Sequence, residues 1–280
     1  MEQDRLSQLV CQHAETSRLF GVDFVPAYRV GGDDGLEGAP GLFAPEPPRD
    51  EVPLPEPAHP SSFVAVVEPK LSVPAGAGRE AKQAALDALR ARYEKDCPHK
   101  DFVTQFNNIV FGEGDPCARI VFVGEAPGEE EDRTGRPFVG RAGQLLTKMI
   151  GAMGLTREQV YICNVLKTRP LNNATPTPRE IDICSPYLFE QVGIIGPEAI
   201  VTLGLPATKA ILKVEGSMGS LRARWSNMRL PDGRKIPVMP TYHPSFILRS
   251  YTPENRAKVW SDLQLVLERL GLRAPAKAPS

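Results

Sequence analysis

Four short apolar runs, separated by stretches of helical period, constrain what this chain can fold into. RIVFV (119–123), VYICN (160–164), AIVTL (199–203) and IPVMPT (236–241) read as strands, and helical spacing of apolar residues recurs over 141–153, 178–194, 206–213 and 254–270. Runs that are apolar at nearly every position belong to strands buried on both faces, and their alternation with helices is the signature of a parallel sheet. The expected fold is α/β: a three-layer α/β/α domain around a central, mainly parallel four-stranded sheet. A helix at Arg79–Lys95 leads into it. Residues 1–78 lie before this body: an amphipathic helix through Leu6, Leu9, Val10 and Leu19, then a disordered linker, since Gly31 to Gly78 is dominated by Pro, Gly, Ala and Glu. The domain then runs over 79–272, and 273–280 form a disordered C-terminus.

Charge and cysteine content narrow the class. The net charge of -1 hides an asymmetry: residues 1–90 hold 8 Lys/Arg against 14 Asp/Glu, which leaves the body with a net +5. An acidic tail on a mildly basic body permits a polyanionic partner, or is simply a solvated face. No apolar run reaches the roughly 18 residues of a membrane span, and MEQDRLSQLV lacks the order of a signal peptide, so a soluble cytoplasmic protein is expected. Five cysteines at irregular spacing do not make a secreted disulfide framework. They are thiols or metal ligands.

Three segments fall at carboxyl ends of the expected strands, where sheets of this kind bind ligands. GEAPGEEEDRTGRPFVGRAGQLL follows the first, Asn164 closes the second, and YHPS (242–245) follows the last. Each has a bland reading alone, as a chain reversal, a cap or a turn. The glycine loop also resembles a phosphate cradle, but Glu129, Glu130, Glu131 and Asp132 would repel a polyphosphate, which argues against an α/β phosphate-binding protein. A loop with backbone donors at Gly124 to Ala126, a carboxylate close by and the flat face of Phe138 suits a neutral ring such as a nucleobase.

In this order, GEAPGEEEDRTGRPFVGRAGQLL, VYICNVLKTRP, TPTPREIDICSPYL and MPTYHPSFILR resemble the family 4 uracil-DNA glycosylases, the iron-sulfur branch of their superfamily, from about Ala91 to Leu270. The resemblance implies an enzyme that flips uracil out of single- or double-stranded DNA and hydrolyses its N-glycosidic bond, leaving an abasic site for base excision repair. Carried over by position, Gly124, Glu125 and Ala126 offer backbone N–H groups to uracil, Phe138 stacks on it, Asn164 reads its edge and His243 faces O2. Donors at O2 stabilise the departing anion. Asn164 pairs with N3–H and O4 and mismatches the reversed pattern of cytosine, at a cost on the order of 10^4 in rate.

Glu125, Glu131 and His243 are the expected catalytic residues. Glu131 either crowds the methyl of thymine or orders the attacking water, with Glu129, Glu130 and Asp132 as solvated neighbours. Relatives with GQDPYH carry an Asp at the position of Ala126, so that water-positioning carboxylate is missing here and stabilisation of a dissociative transition state carries most of the rate. Pro244 and Ser245 would press on the DNA backbone, Phe246 to Leu248 fill or support the vacated space, and Arg136, Arg141 and Arg249 contact phosphate. LRARWSNMRLPDGRK contacts phosphate too, or is only a soluble hairpin. The expected protein is a monomer whose tail is a candidate docking site for a protein partner.

One departure is large. The family holds a [4Fe-4S] cluster on four cysteines, and this chain keeps only Cys97 and Cys184 of those positions, with Thr168 at the third and Glu94, or Lys100, in place of the fourth. Cys117 and Cys163 are new, Cys163 reading as a buried thiol. The cluster is expected to be absent and its site repacked. A catalytically silent DNA- or nucleotide-binding relative is therefore the alternative to an active glycosylase.

Overall fold

The computed structural model describes residues 76–275. The helix expected at 1–20, nearly all of the linker, and 276–280 lie outside the described residues.

The chain enters through α1 (Arg79–Asp96), then β1 (Glu113–Gly114) and β2 (Ile120–Gly124). Two helices follow, α2 (Glu129–Thr134) and α3 (Arg141–Ala152), before β3 (Tyr161–Asn164) and α4 (Pro178–Ile195). After β4 (Ala199–Leu203) come α5 (Leu205–Leu212), α6 (Met218–Leu221) and the hairpin of β5 (Ser226–Arg229) with β6 (Lys235–Thr241); α7 (Pro244–Arg249) and α8 (Pro253–Arg269) close the domain.

The sheet has the order β1-β3-β2-β4-β6-β5. Its four inner strands are parallel, as their apolar runs predict, and an antiparallel strand is added at each edge. These edge strands escape a sequence reading for a physical reason. β1 is too short to show a period, and β5 is half-solvated, its residues alternating with polar Asn227 and Arg229 outward. LRARWSNMRLPDGRK is thus mostly the β5–β6 hairpin, closed by Leu230 N–H on the Arg234 carbonyl at 2.9 Å.

Alternation along each strand feeds two cores. Val121, Val123 and Ile200 pack with Leu86, Leu89 and Tyr93 of α1 and with Leu188 and Val192 of α4. Ile120, Phe122, Val201 and Leu203 pack on the other face with Leu146, Met149 and Ile150 of α3 and Val259, Leu263 and Val266 of α8. Each such side chain contributes about 1.5–3 kcal/mol by leaving water. Helix α4 is bounded by local chemistry: the Thr177 hydroxyl accepts from Glu180 N–H, Pro178 opens the first turn, and Gly196 closes it at φ 60°.

Because β2 starts in the middle, the chain steps to β3 on one side and crosses to β4 on the other. A crevice must open at the carboxyl ends where the direction reverses, between β2 and β4.

Candidate active site

A cavity of about 660 Å³ occupies that crevice. All four parallel strands deliver residues to it: Glu125 to Gly128 after β2, Asn164 at the end of β3, Gly204 to Pro206 after β4, and Tyr242 with His243 after β6. Phe138 and Glu131 also line it. The expected base-reading residues, nearly 120 positions apart in sequence, share one chamber that is larger than a pyrimidine alone needs.

The floor is tightly set. Asn164 is 1% exposed, and its Oδ1 is buried with no hydrogen-bond partner among the described residues. A Cβ on Gly124 would lie 2.3 Å from that oxygen and 2.5 Å from the Phe138 ring, so only glycine lets the amide and the ring meet over the strand end. The carbonyls of Gly124 and Glu125 accept from Val165 and Leu166 N–H, each at 3.0 Å, which fixes the loop's peptide planes. Burial pushes the carboxyl of Glu125 above its ordinary range.

The acidic run is not a loop but the first turn of α2, where carboxylates oppose the positive end of the helix dipole. Its members differ sharply. Glu131 Oε1 accepts from Val139 N–H (2.8 Å) and Gly140 N–H (2.9 Å), and Oε2 accepts from Gly128 N–H (3.2 Å). The carboxylate is a knot tying the glycine loop to the turn that carries Phe138. Asp132, expected to be solvated, is buried: Asn107 N–H and Asn108 N–H donate to Oδ1 at 2.7 and 3.1 Å, and Asn107 Nδ2 donates to Oδ2 at 2.6 Å. Glu129 and Glu130 are exposed, as expected.

His243 caps α7. Its Nδ1 accepts from Ser245 N–H at 3.1 Å and lies 2.8 Å from Ser245 Oγ. With Nδ1 an acceptor, the neutral ring carries its proton on Nε2. Burial, with Arg249 adding a smaller push, lowers its pKa to about 4. The ring centroid is 5.7 Å from that of Phe138. The strand that delivers it is anchored by Thr241 Oγ1, which donates to Asp262 of α8 at 2.7 Å.

The expected DNA-contacting residues are distributed unevenly. Arg249 is exposed and lines the mouth, beside Phe246, which stacks on Tyr242 at 4.8 Å. Arg141 is exposed at the start of α3. Arg136 is exposed but donates to Glu113 at 2.8 Å. Pro244 is buried as the first residue of α7, Ser245 is engaged on His243, and Ile247 belongs to the core.

The residues at the expected cluster position do not fit a cubane. Glu94 is exposed and accepts from Arg90 at 2.9 Å, Lys100 is exposed, and Thr168 is a buried hydroxyl without a partner among the described residues. Tyr93 is fully buried near both remaining thiols, stacked on His99 at 5.5 Å and edge-on to Tyr187 at 5.0 Å. Burial raises the Cys184 thiol to about 12. Cys163, as expected, is a buried thiol.

Two contributors carried no signal in the sequence. Buried Lys167 donates to the Asn164 carbonyl at 2.8 Å and to Gln191 Oε1 at 2.7 Å, fixing the end of β3 from behind. Arg157 donates to the carbonyls of Pro137 and Phe138.

A family model for the uracil DNA glycosylase superfamily matches residues 111–264. The chain is similar to the type-4 uracil-DNA glycosylase of Thermotoga maritima, 51% identical over 158 residues that cover 56% of this chain and 80% of that protein. It is 42% identical to the type-4 uracil-DNA glycosylase of Archaeoglobus fulgidus over 190 residues, 64% of this chain and 90% of the relative. A type-5 uracil-DNA glycosylase of Pyrobaculum aerophilum is more distant, 33% identical over 147 residues, 47% of this chain and 63% of that one.

Proposed function

The chain belongs to the uracil DNA glycosylase superfamily, in its type-4 branch, and from that membership we propose that it flips uracil out of DNA and hydrolyses the N-glycosidic bond to leave an abasic site, the opening step of base excision repair. The observation that carries this reading is the orphaned Asn164 Oδ1 in the cavity wall, flanked by Phe138 and Gly124. A buried acceptor without a donor suits a ligand that brings one, and uracil N3–H is such a donor.

Phe138 stacks on the flipped ring while Asn164 accepts from N3–H and donates to O4. As the C1'–N1 bond lengthens, negative charge spreads over O2 and O4, and neutral His243 donates Nε2–H to O2. Its Nδ1 contacts with Ser245 support this tautomer. Of the two carboxylates in the cavity wall, Glu131 is taken up by backbone amides, which leaves Glu125 to order the attacking water. Arg249 and Arg141 hold the phosphates of single- or double-stranded substrate, on a protein that acts as a monomer in the cytoplasm. No helix among the described residues is long and apolar enough to cross a membrane.

The chemistry needs no iron, and we propose that this chain carries no [4Fe-4S] cluster. Tyr93, Thr168 and an outward Glu94 support that reading. The purified protein should be colourless and folded; stoichiometric iron and sulfide would refute this.

Incubation with uracil-containing oligonucleotides, single- and double-stranded, followed by alkaline cleavage of abasic sites, tests the activity. Strand scission at uracil and not at thymine is expected. A folded protein that binds the strand and leaves it intact would be a silent relative.

A further inference from the structure

Phe138 is the residue whose placement is hardest to explain by its neighbours in sequence. It sits at φ 52°, in the left-handed region that non-glycine residues avoid, and a Cβ on Gly143 of α3 would come within 1.9 Å of its carbonyl carbon and oxygen. A turn of that conformation, packed that closely, must be held from outside.

Two clamps hold it. Glu131 takes the N–H groups of Val139 and Gly140, and Arg157 takes the carbonyls before them: Nη2 donates to Pro137 at 2.7 Å and Nη1 to Phe138 at 2.8 Å. The guanidinium is itself seated. Its Nε and Nη2 lie 3.2 and 2.6 Å from Glu113 Oε1, and Nη1 reaches Thr147 Oγ1 at 3.3 Å. Glu113 stands on β1, paired in register with Ile162 of β3, two residues before Asn164. Arg157 precedes the same strand. The turn that carries the ring is thereby tied to the strand that carries the base-reading amide.

Burial pushes the Glu113 carboxyl up, but hydrogen bonds from Arg136 and Arg157 outweigh it and hold it below its ordinary range. Arg157 is only 14% exposed and is not part of the cavity wall. We propose that Arg157, oriented by Glu113, is a positioning residue of the glycosylase: it fixes the strained turn so that Phe138 presents its face at a set height above Asn164. This deepens the reading of Phe138 as the stacking platform and rests on it. Lysine cannot substitute, because one ammonium lacks the planar fork that meets two carbonyls and a carboxylate at once.

A double-mutant cycle separates this role from general support. Single-turnover excision of uracil is measured for wild type, Arg157→Met, Arg157→Lys, Glu113→Gln, Phe138→Leu and the Arg157→Met/Phe138→Leu pair, with melting temperature and affinity for uracil-free DNA alongside. A ring displaced by an ångström should slow Arg157→Met by roughly 10^2-fold, with affinity for undamaged DNA unchanged within about two-fold. Arg157→Lys should recover less than a tenth of the wild-type rate, and Glu113→Gln should fall between them. In the Phe138→Leu background the same arginine change should cost less than about three-fold, since the residue it positions is gone. Equal losses in both backgrounds, or Arg157→Met at the wild-type rate, would overturn the proposal. A wild-type rate in Phe138→Leu would remove the stacking reading and the proposal with it. If Arg157→Met does not fold, the cycle is run with Arg157→Lys and Glu113→Gln, to which the same criteria apply.

Discussion

Asn164 Oδ1 is buried in the cavity wall without a partner among the described residues, so a base that brings N3–H meets an acceptor no protein group competes for. Asn164→Asp removes the amide donor at O4 and sets a carboxylate against the charge that develops there. Uracil excision should fall by roughly 10^2 or more, while the unchanged volume keeps the fold intact. Weak excision of cytosine should appear, since a carboxylate accepts from N4–H. Single-turnover rates on uracil and cytosine strands check this, and unchanged uracil excision by the folded variant would withdraw the pocket assignment. His243 makes the second residue-scale prediction. Its folded pKa of about 4 lies below the ordinary histidine value, so the ring stays neutral, and excision limited by it should be flat from pH 8 down to about 5. The unfolded chain takes up that proton first, so this group lowers stability as pH falls through the window from about 6.5 to 4. A rate that drops with an apparent pKa near 6.5 would mean a solvated ring. The tautomer was not legible in the sequence, because the bond from Ser245 N–H to Nδ1 that sets it exists only in the folded cap. Nor were the partners of Phe138, because Arg157 lies 19 positions after it and Glu113 lies 44 before Arg157.

Four adjacent carboxylates look alike in a sequence, and only the element they form tells them apart. The signals for α2 were present: Gly128 ahead of an acidic first turn, and Gly135 at φ 69° behind it. Once the helix forms, one turn of it places Asp132 inward and Glu129 and Glu130 outward, the consequence of a 3.6-residue period. Asp132→Ala would strip partners from two backbone N–H groups and the Asn107 amide, loosening the 107–108 segment; a loss of about 2–4 kcal/mol is expected. Glu130→Ala loses only an exposed pair with Arg133 and should stay within about 0.5 kcal/mol. Chemical denaturation of both variants decides it, and equal midpoints would mean that Asp132 is dispensable. The parallel strands were legible at the same scale because burial on both faces leaves them almost wholly apolar, whereas β1 is too short for any period and β5 has water on one side.

At the scale of the whole chain, the described residues, 76–275, form the six strands, both cores and the cavity that the proposed chemistry uses. The first described helix is part of that body. Leu86, Leu89 and Tyr93 of α1 are buried in the core they share with α4, so the packed body begins no later than α1 and not at the first strand. Gly31 to Gly78 is rich in Pro, Gly, Ala and Glu, a composition from which no separate core is expected. We therefore predict two different outcomes from two truncations. Removing residues 1–78 should leave uracil excision on a short oligonucleotide within about three-fold and the melting temperature within about 3 °C, since the core formed by the described residues begins with Leu86. Removing 1–96 deletes three core side chains along with α1, a loss of about 5 kcal/mol or more by area alone, comparable with the whole stability of many domains. That protein should fail to fold. Circular dichroism melts and excision assays on the two truncations provide the test: an inactive or insoluble 79–280 would mean that the acidic N-terminal segment docks on the basic body and belongs to the enzyme.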